Sequence, residues 1–411
     1  MSSFGPLGQV VEAVTDDRSW LRVRAKVVRP ALRTVSLEPR RPVRGNVLLS
    51  WMTEAFTLIG GSLPNTHANL WECRQVARTF LDLGFHVDVI NYRNVLFTPR
   101  TSYDFFIDNR VNMERLAPAL GDGCTKIAHL ETSHMLFQNA AEYQRLLDLQ
   151  QRRGVTLAPR RVERRVNHAI EHADLAVLYG NEQSASTWAY AGKSMYPVPA
   201  APLRRFPSPA TRDVAANRHR FLWLGSHGAV LKGLDLVLEA FAGMPELQLT
   251  VCGPVEDEAD FAEAFHRELH ETPNITTLGW VDIHGSRFRQ LVQDTVGFVY
   301  PSASESQSGA VITCLQAGLI PIISRECDVP VDDSMGVVLH ETSVEAIRTA
   351  VRAIADQPAS HLSRMAEDSW GYSRSVHSQA RFASAYRDIV RGLLGEQPMP
   401  ASLSPSPRQS T

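Results

Sequence analysis

Two short segments in the second half of the chain combine small residues with one charged side chain. Residues 225–233 follow an apolar run of strand length and contain glycines and Lys232. Residues 301–310 follow another such run and contain serines and Glu305. Glycines let a backbone approach a ligand closely, and a helix that begins there presents free N–H groups to an anion. Lys232 adds a charge suited to a diphosphate, and the Glu305 carboxylate can accept hydrogen bonds from two sugar hydroxyls.

Each segment also has an explanation that needs no ligand. Residues 225–233 fit a tight turn between a strand and a helix, with a solvated lysine. The serines of residues 301–310 fit an N-cap cluster before a buried helix. Because both segments follow strands of a parallel sheet, they would meet at the edge where such sheets bind ligands, which favours a binding site.

Other nucleotide and metal motifs are missing from the sequence. Neither segment is G-x-G-x-x-G or a P-loop, and the triplet G-K-S at 192–194 has Thr187 where a P-loop needs its first glycine. These departures argue against ATP hydrolysis and simple dinucleotide binding. No D-x-D triplet and no His/Cys cluster with ligand spacing occurs, so we expect no metal site.

The elements that position the two segments follow from the hydrophobic pattern. Apolar runs of strand length alternate with amphipathic runs of helix length, which is typical of parallel α/β domains. We predict a Rossmann-like domain over 45–195, a proline-rich linker over 196–218 and a second Rossmann-like domain over 219–396. The last helix of the second domain is expected to pack back on the first. A helix is also predicted over 161–172.

The two ends of the chain differ from its body. Residues 397–411 are rich in Pro and Ser, which predicts a disordered tail. Residues 1–44 form a basic leader, in which residues 18–44 hold many Lys and Arg side chains and the single acid Glu38. Strict alternation at 21–27 favours a half-buried edge strand with a solvated basic face. The alternative is a peripheral contact with anionic lipid at the inner face of a membrane.

Composition excludes several classes of protein. The chain has 411 residues, of which 44% are hydrophobic and 21% charged, as in ordinary globular proteins. A net charge of −2 argues against nucleic acid as a partner. Five scattered cysteines are typical of a reducing compartment, and the first residues lack the features of a secretory signal. We therefore expect a cytoplasmic protein.

Three segments resemble a known family. FLWLGSHGAVLKGLDLVLEAF, LTVCGP and GFVYPSASESQSGAVITCLQAGLIPIIS are similar to retaining GT-B glycosyltransferases of family four. The resemblance is good over about residues 220–325, vaguer over 45–195 and absent from the first 40. It implies a GT-B architecture, in which two Rossmann-like domains face each other across a cleft.

The resemblance also implies an activity. The C-terminal domain would bind a nucleoside diphosphate sugar, and the N-terminal domain would face a hydroxyl acceptor. A hexose would be transferred with retention of configuration, without a metal ion, and with no cofactor besides the nucleotide-sugar co-substrate. Two alternatives remain: a catalytically weak GT-B scaffold that binds a partner enzyme, and another GT-B enzyme such as a sugar-nucleotide epimerase.

Several residues match positions with known roles in that family. Lys232 would contact the donor phosphate, and Glu305 the transferred hexose. His129 is similar to the histidine near the reaction centre, and His134 is a rival for that role. The remaining predicted donor contacts are the amides of Ser308, Gly309 and Ala310 and the glycine-rich loop at Gly60 and Gly61.

Two positions depart from the family pattern. Thr313 stands eight residues after Glu305, where a glutamate usually holds the nucleotide ribose. Ser226 stands where an arginine is common. The hydroxyl of Thr313 can still bond a ribose, but the charge lost at Ser226 must come from Lys232, from backbone amides or from another basic residue.

Overall fold

Two β-sheets covered by helices form the framework of the chain in a computed structural model, which describes residues 32–57, 68–202 and 204–403. The first sheet has seven strands in the order β1-β3-β2-β4-β5-β6-β7, with β1 antiparallel to β3 and the other pairs parallel. Its strands β1 to β7 are Thr34–Leu37, Gly45–Trp51, Phe85–Asn91, Phe105–Asp108, Thr125–Leu130, Leu175–Tyr179 and Met195–Val198. Helices α1 to α6 of this half are Glu54–Thr57, Ala68–Asp82, Met113–Leu120, Met135–Arg153, Ala169–His172 and Glu182–Trp188.

The second sheet has six parallel strands in the order β10-β9-β8-β11-β12-β13. Strands β8 to β13 are Arg220–Leu224, Gln248–Cys252, Ile275–Gly279, Gly297–Tyr300, Ile320–Ser324 and Val337–Leu339. Helices α7 to α14 are Val214–Asn217, Leu234–Ala242, Ala259–Ala264, Ser286–Gln293, Gly309–Gln316, Val344–Ala355, Ala359–Val376 and Gln379–Leu393. Because helices cover both faces of each sheet, the central strands are apolar along their whole length.

The chain ends fall partly within the described residues. The edge strand β1 belongs to the predicted leader, whereas the alternating run 21–27 lies outside the described ranges. The predicted tail is described as far as Leu403, whose backbone N–H donates to the carbonyl of Met195 at 2.7 Å. No helix within the described ranges is long and apolar enough to cross a membrane. Membrane contact through residues 18–44 stays a prediction.

The last helix of the chain, α14, packs on the first sheet. Its side chains Phe382, Tyr386 and Ile389 are buried in the same core as Trp51 and Val177. The first domain is therefore completed by residues that follow the second domain in the sequence.

The segment between β5 and β6 lies in the first domain by sequence but packs on the second domain. We call residues 135–165, which comprise α4 and the irregular chain after it, the arm. His134 Nδ1 accepts from the Leu136 amide to cap α4, and Gly154 ends it in a left-handed conformation (φ 70°). Leu149, fully buried on α4, belongs to the core of the second domain.

Ion pairs fix the arm to the second domain. Arg152 Nη2 lies 2.5 Å from Asp235 Oδ2, and Arg153 Nη1 lies 2.7 Å from Glu268 Oε1. Arg145 Nη2 donates to the carbonyl of Pro301 at 2.6 Å. The arm therefore crosses the space between the domains and contacts the segment that carries Glu305.

The predicted helix over 161–172 is wrong for most of its length, since only Ala169–His172 is helical. The amides of Arg160 and Arg161 donate to Glu142 Oε1, at 2.7 and 3.2 Å, instead of to carbonyls of a helical turn. The backbone there follows the surface of α4, because the Glu142 carboxylate satisfies its donors.

Candidate functional site

The two predicted segments lie side by side at the carboxyl edge of the second sheet. Residues 225–233 follow β8 and residues 301–310 follow β11, and these strands are neighbours. Gly233 (φ 70°) brings the segments together, because a Cβ there would lie 2.6 Å from the carbonyl oxygen of Pro301. Ala303 N–H also donates to the carbonyl of Leu231 at 2.8 Å. The glycine predicted for close approach thus lets one segment approach the other.

Lys232 and Glu305, which the sequence placed in one site, form an ion pair. Lys232 Nζ lies 2.9 Å from Glu305 Oε1, and the side chains are 5% and 17% exposed. Tyr300 and Ser302 donate their hydroxyls to the same Oε1 atom, at 2.9 and 3.2 Å. Within the described residues Oε2 receives no such donor, so it remains as the acceptor for a ligand hydroxyl.

The protonation state of Glu305 follows from its neighbours. Burial by itself would raise the pKa of this carboxyl, but the charge and hydrogen bond of Lys232 lower it, and the charge of Arg161 lowers it further. The net effect holds the pKa of Glu305 below its ordinary value. Glu305 is therefore a carboxylate at neutral pH and acts as an acceptor for hydroxyls.

The segment after Glu305 leads into α11. Ser308 is the N-cap residue, with Gly309 and Ala310 in the first turn, so the three predicted amides lie together at one helix N-terminus. Thr313 is buried on α11 and donates its hydroxyl hydrogen to the carbonyl of Gly309 at 2.7 Å. This hydroxyl can therefore only accept a hydrogen bond from a ligand.

The amides of Gly228 and Ala229 in the first segment already have a partner. Gly228 and Ala229 donate their N–H groups to the buried carboxylate of Glu258, the second at 3.3 Å. Burial raises the pKa of Glu258, although these amide bonds oppose the rise. Ser226 is exposed beside them and brings no charge. The sequence does not indicate that Glu258 binds these amides, because it lies in an acidic stretch 30 residues further on.

His129 lies at the end of β5 but is enclosed. Its ring is 4.4 Å from that of Trp51 and 5.0 Å from that of Tyr179, and the residue is 1% exposed. Burial lowers its pKa to about 3, so the imidazole is neutral, and neither ring nitrogen has a hydrogen-bond partner among the described residues. A catalytic role for His129 stays a prediction, and it requires a change in this packing.

Of the other predicted residues of the first domain, the structure describes His134 but not Gly60 or Gly61. His134 caps α4 and packs its ring edge-on to Trp188 and Tyr190, which explains it as a structural residue. Gly60 and Gly61 lie outside the described residues.

Glu131, the acid between His129 and His134, is mostly buried in the structure. It follows β5 directly, and its carboxylate is only 9% exposed. Oε2 lies 3.4 Å from Arg110 Nη2, while the buried Oε1 has no partner within the described ranges. Two residues later, Ser133 Oγ donates to the backbone carbonyl of Glu305 at 2.7 Å. Glu131 therefore belongs to the edge of the first sheet that faces the Lys232–Glu305 pair.

A second buried carboxyl, Glu72, lies on α2 behind this edge. Its Oε1 accepts from the Ala201 amide at 3.2 Å, whereas Oε2 is buried without a partner in the part of the chain described. Burial, and after it the charge of Glu131, raise the pKa of Glu72 to about 8. Glu72 is therefore protonated in the folded chain at neutral pH.

This protonation predicts a pH-dependent stability. The folded state binds a proton that the unfolded state releases near pH 4.5, so stability falls as the pH rises from about 4.5 to about 8. Each pH unit costs about 1.4 kcal/mol, so the loss reaches a few kcal/mol. Urea unfolding at pH 5.5 and 8.5 should show Glu72→Gln as less sensitive to pH than the wild type. Equal slopes for the two proteins would contradict the prediction.

Comparison with known proteins gives a family match for part of the chain. Residues 218–357 match the family model described as Glycosyl transferases group 1. This segment contains β8 to β13 and both candidate loops. No curated protein matches the sequence.

Solved structures show the fold of most of the chain. Sucrose-phosphate synthase from Thermosynechococcus elongatus superposes with a TM-score of 0.57 at 14% identity, over 87% of this chain and 100% of that chain. Anabaena Alr3699/HepE, solved in complex with UDP and glucose, gives 0.53 at 12% identity, over 86% and 100%. S. aureus TarM gives 0.51 at 10% identity over 69% of this chain, which spans about half (54%) of TarM. The chain thus has the GT-B fold of two Rossmann-like domains, and its residues 218–357 match the glycosyl transferases group 1 model.

Proposed function

We propose that the protein transfers a hexose from a nucleoside diphosphate sugar to a hydroxyl acceptor. The observation that carries the proposal is the buried Lys232–Glu305 pair between two neighbouring strand ends, inside the segment that matches the group 1 model. A cation beside a carboxylate suits a substrate in which a diphosphate is bonded to a polyhydroxylated ring.

Each group has a distinct part in the proposed reaction. The Oε2 atom of Glu305 accepts hydroxyls of the sugar and orients it. Lys232 moves from Glu305 to the diphosphate as negative charge develops on the departing oxygen, which is the kind of stabilisation that lowers a barrier most. The amides of Ser308, Gly309 and Ala310 at the N-terminus of α11 add a dipole of the same sign.

Retention of configuration and the absence of a metal ion are parts of the proposal that the resemblance of residues 220–325 supports. By that resemblance, the sugar bond to the diphosphate oxygen breaks on the face where the acceptor oxygen attacks, and the departing phosphate takes the acceptor's proton. We assign charge neutralisation to Lys232.

A second candidate, a scaffold that has lost catalysis, is favoured by one specific observation. The Glu258 carboxylate occupies the amides of Gly228 and Ala229, where a donor phosphate would compete with it. Thr313 and Ser226 also offer a nucleotide less charge than a glutamate and an arginine would. This candidate predicts weak donor binding or none.

A panel of nucleotides separates the two candidates. Thermal unfolding is followed with UDP, GDP, ADP and dTDP at millimolar concentration, each with and without its common sugars. A ligand that binds only the folded chain must raise the unfolding midpoint, by more as its concentration exceeds the dissociation constant. We expect one base to give a clear shift and its sugar nucleotide to be consumed when acceptors are added. No shift with any nucleotide would overturn the transferase and favour the scaffold.

A further inference from the structure

The arm places Arg161 against residues 225–233 of the second domain. Gly228 (φ 95°) has no side chain, and a Cβ built there would lie 2.4 Å from Cγ and 3.0 Å from Cδ of Arg161. The aliphatic part of Arg161 therefore lies directly on the Gly228 backbone. Its guanidinium group is close enough to Glu305 for its charge to affect that carboxylate.

The backbone of Arg161 is held in this place by α4. Its N–H donates to Glu142 Oε1 at 3.2 Å, and its carbonyl accepts from Gln138 Nε2 at 2.5 Å. The Arg160 amide donates to the same Glu142 oxygen at 2.7 Å. A helix that is itself tied to the second domain thus positions the arginine, so Arg161 does not depend on a free loop.

The guanidinium group of Arg161 has no direct ion-pair partner among the described residues, although its charge reaches Glu305. Three other arginines of the arm form ion pairs: Arg152 with Asp235, Arg153 with Glu268 and Arg160 with Asp260. Arg161 makes no ion pair with any described residue, and its buried Nε has no hydrogen-bond partner among them. A partly buried guanidinium that lacks an anion is costly, since its donors lose water without compensation.

An anion at this place would also replace the charge that Ser226 does not supply. Lys232 is already engaged by Glu305, and the amides of Gly228 and Ala229 are engaged by Glu258. Arg161 is therefore the unengaged cation that the described part of the chain presents to this loop. Its planar guanidinium group can bind two phosphate oxygens at once.

We propose that Arg161 binds the diphosphate of the donor from the side of the first domain, as a donor-binding residue that replaces the missing arginine at Ser226. This inference rests on the proposed function, because it takes the ligand of the loop to be a nucleoside diphosphate. Since the arm moves with the second domain through its ion pairs, the site would be complete before the acceptor enters.

The test compares a diphosphate with a monophosphate on matched variants. The base is first chosen as the one that stabilises the wild-type chain, and the dissociation constants of its diphosphate and monophosphate are then measured by titration calorimetry. We expect Arg161→Gln to weaken diphosphate binding about 10- to 100-fold, as for a lost charge-assisted hydrogen bond. Monophosphate binding should change much less, and Arg161→Lys should recover part of the loss. Arg164→Gln removes an exposed charge three residues away and serves as the control.

The outcomes distinguish this inference from the proposed function. If the wild type binds the diphosphate and Arg161→Gln binds it equally well, the assignment of Arg161 is overturned and the transferase stands. If diphosphate and monophosphate weaken by the same factor, and Arg161→Lys recovers nothing, Arg161 only supports the arm and the assignment is again overturned. If the wild type binds no nucleotide, both proposals fail. Unfolding midpoints of all variants identify any loss caused by misfolding, and Arg161→Lys then carries the comparison.

Discussion

Replacing Lys232 with alanine is expected to lower turnover by about 100- to 1,000-fold, the cost of removing one preorganised charge from a site where negative charge develops. Affinity for the donor should fall at the same time, by about 10-fold or more, because the lysine binds the diphosphate in the ground state too. The chain should also lose stability, since Glu305 would keep its buried charge without the cation that lowers its pKa.

Initial rates, titration calorimetry and urea unfolding measure these three effects. Lys193→Ala provides the control, since it removes a partly exposed lysine from the G-K-S triplet of the first domain. Should Lys232→Ala keep normal rates and normal donor affinity while its stability falls, the ion pair would be structural and the site would have to be sought elsewhere.

Replacing Glu305 with glutamine is expected to affect turnover and nucleotide binding in opposite directions. Turnover should fall by about 100-fold or more, because a neutral amide orients sugar hydroxyls less strongly than a carboxylate. Binding of the nucleoside diphosphate without sugar should be unchanged or tighter, because Lys232 no longer has an internal partner that competes with phosphate.

Turnover of the sugar nucleotide and binding of the nucleoside diphosphate must be measured on the same variant. Steady-state rates with the sugar nucleotide and calorimetry with the nucleoside diphosphate are measured for Glu305→Gln and for Asp333→Asn, an exposed acid in the same domain. A parallel loss of diphosphate affinity and turnover would show that Glu305 positions Lys232 and does not act on the sugar.

Local pattern predicted the framework of this site because the positions of the strand ends follow from the sequence. The apolar runs at β8 and β11 are buried strands, and parallel strands bring their carboxyl ends to one edge. Lys232 and Glu305 could therefore be expected together although 73 residues separate them. The prediction needed no knowledge of which helix packs where.

Residues supplied by the arm could not be found in this way. The amphipathic pattern of α4 indicates a buried face but does not say that Leu149 packs in the other domain. The segment after α4 was predicted to be helical from residue 161. Its actual course depends on Glu142, a buried carboxylate that binds the amides of Arg160 and Arg161. Such tertiary hydrogen bonds have no periodic signal in the sequence.

The crossing of the arm and of α14 has a consequence for how the chain folds. Neither domain is formed by one continuous piece of sequence. The core of the first domain includes Phe382 and Tyr386 from the C-terminal helix, and the core of the second domain includes Leu149 from the arm. Unfolding of either half would expose apolar side chains of the other. We therefore expect the two halves to unfold together, and the core of the first half to be completed only after the last helix has been synthesised.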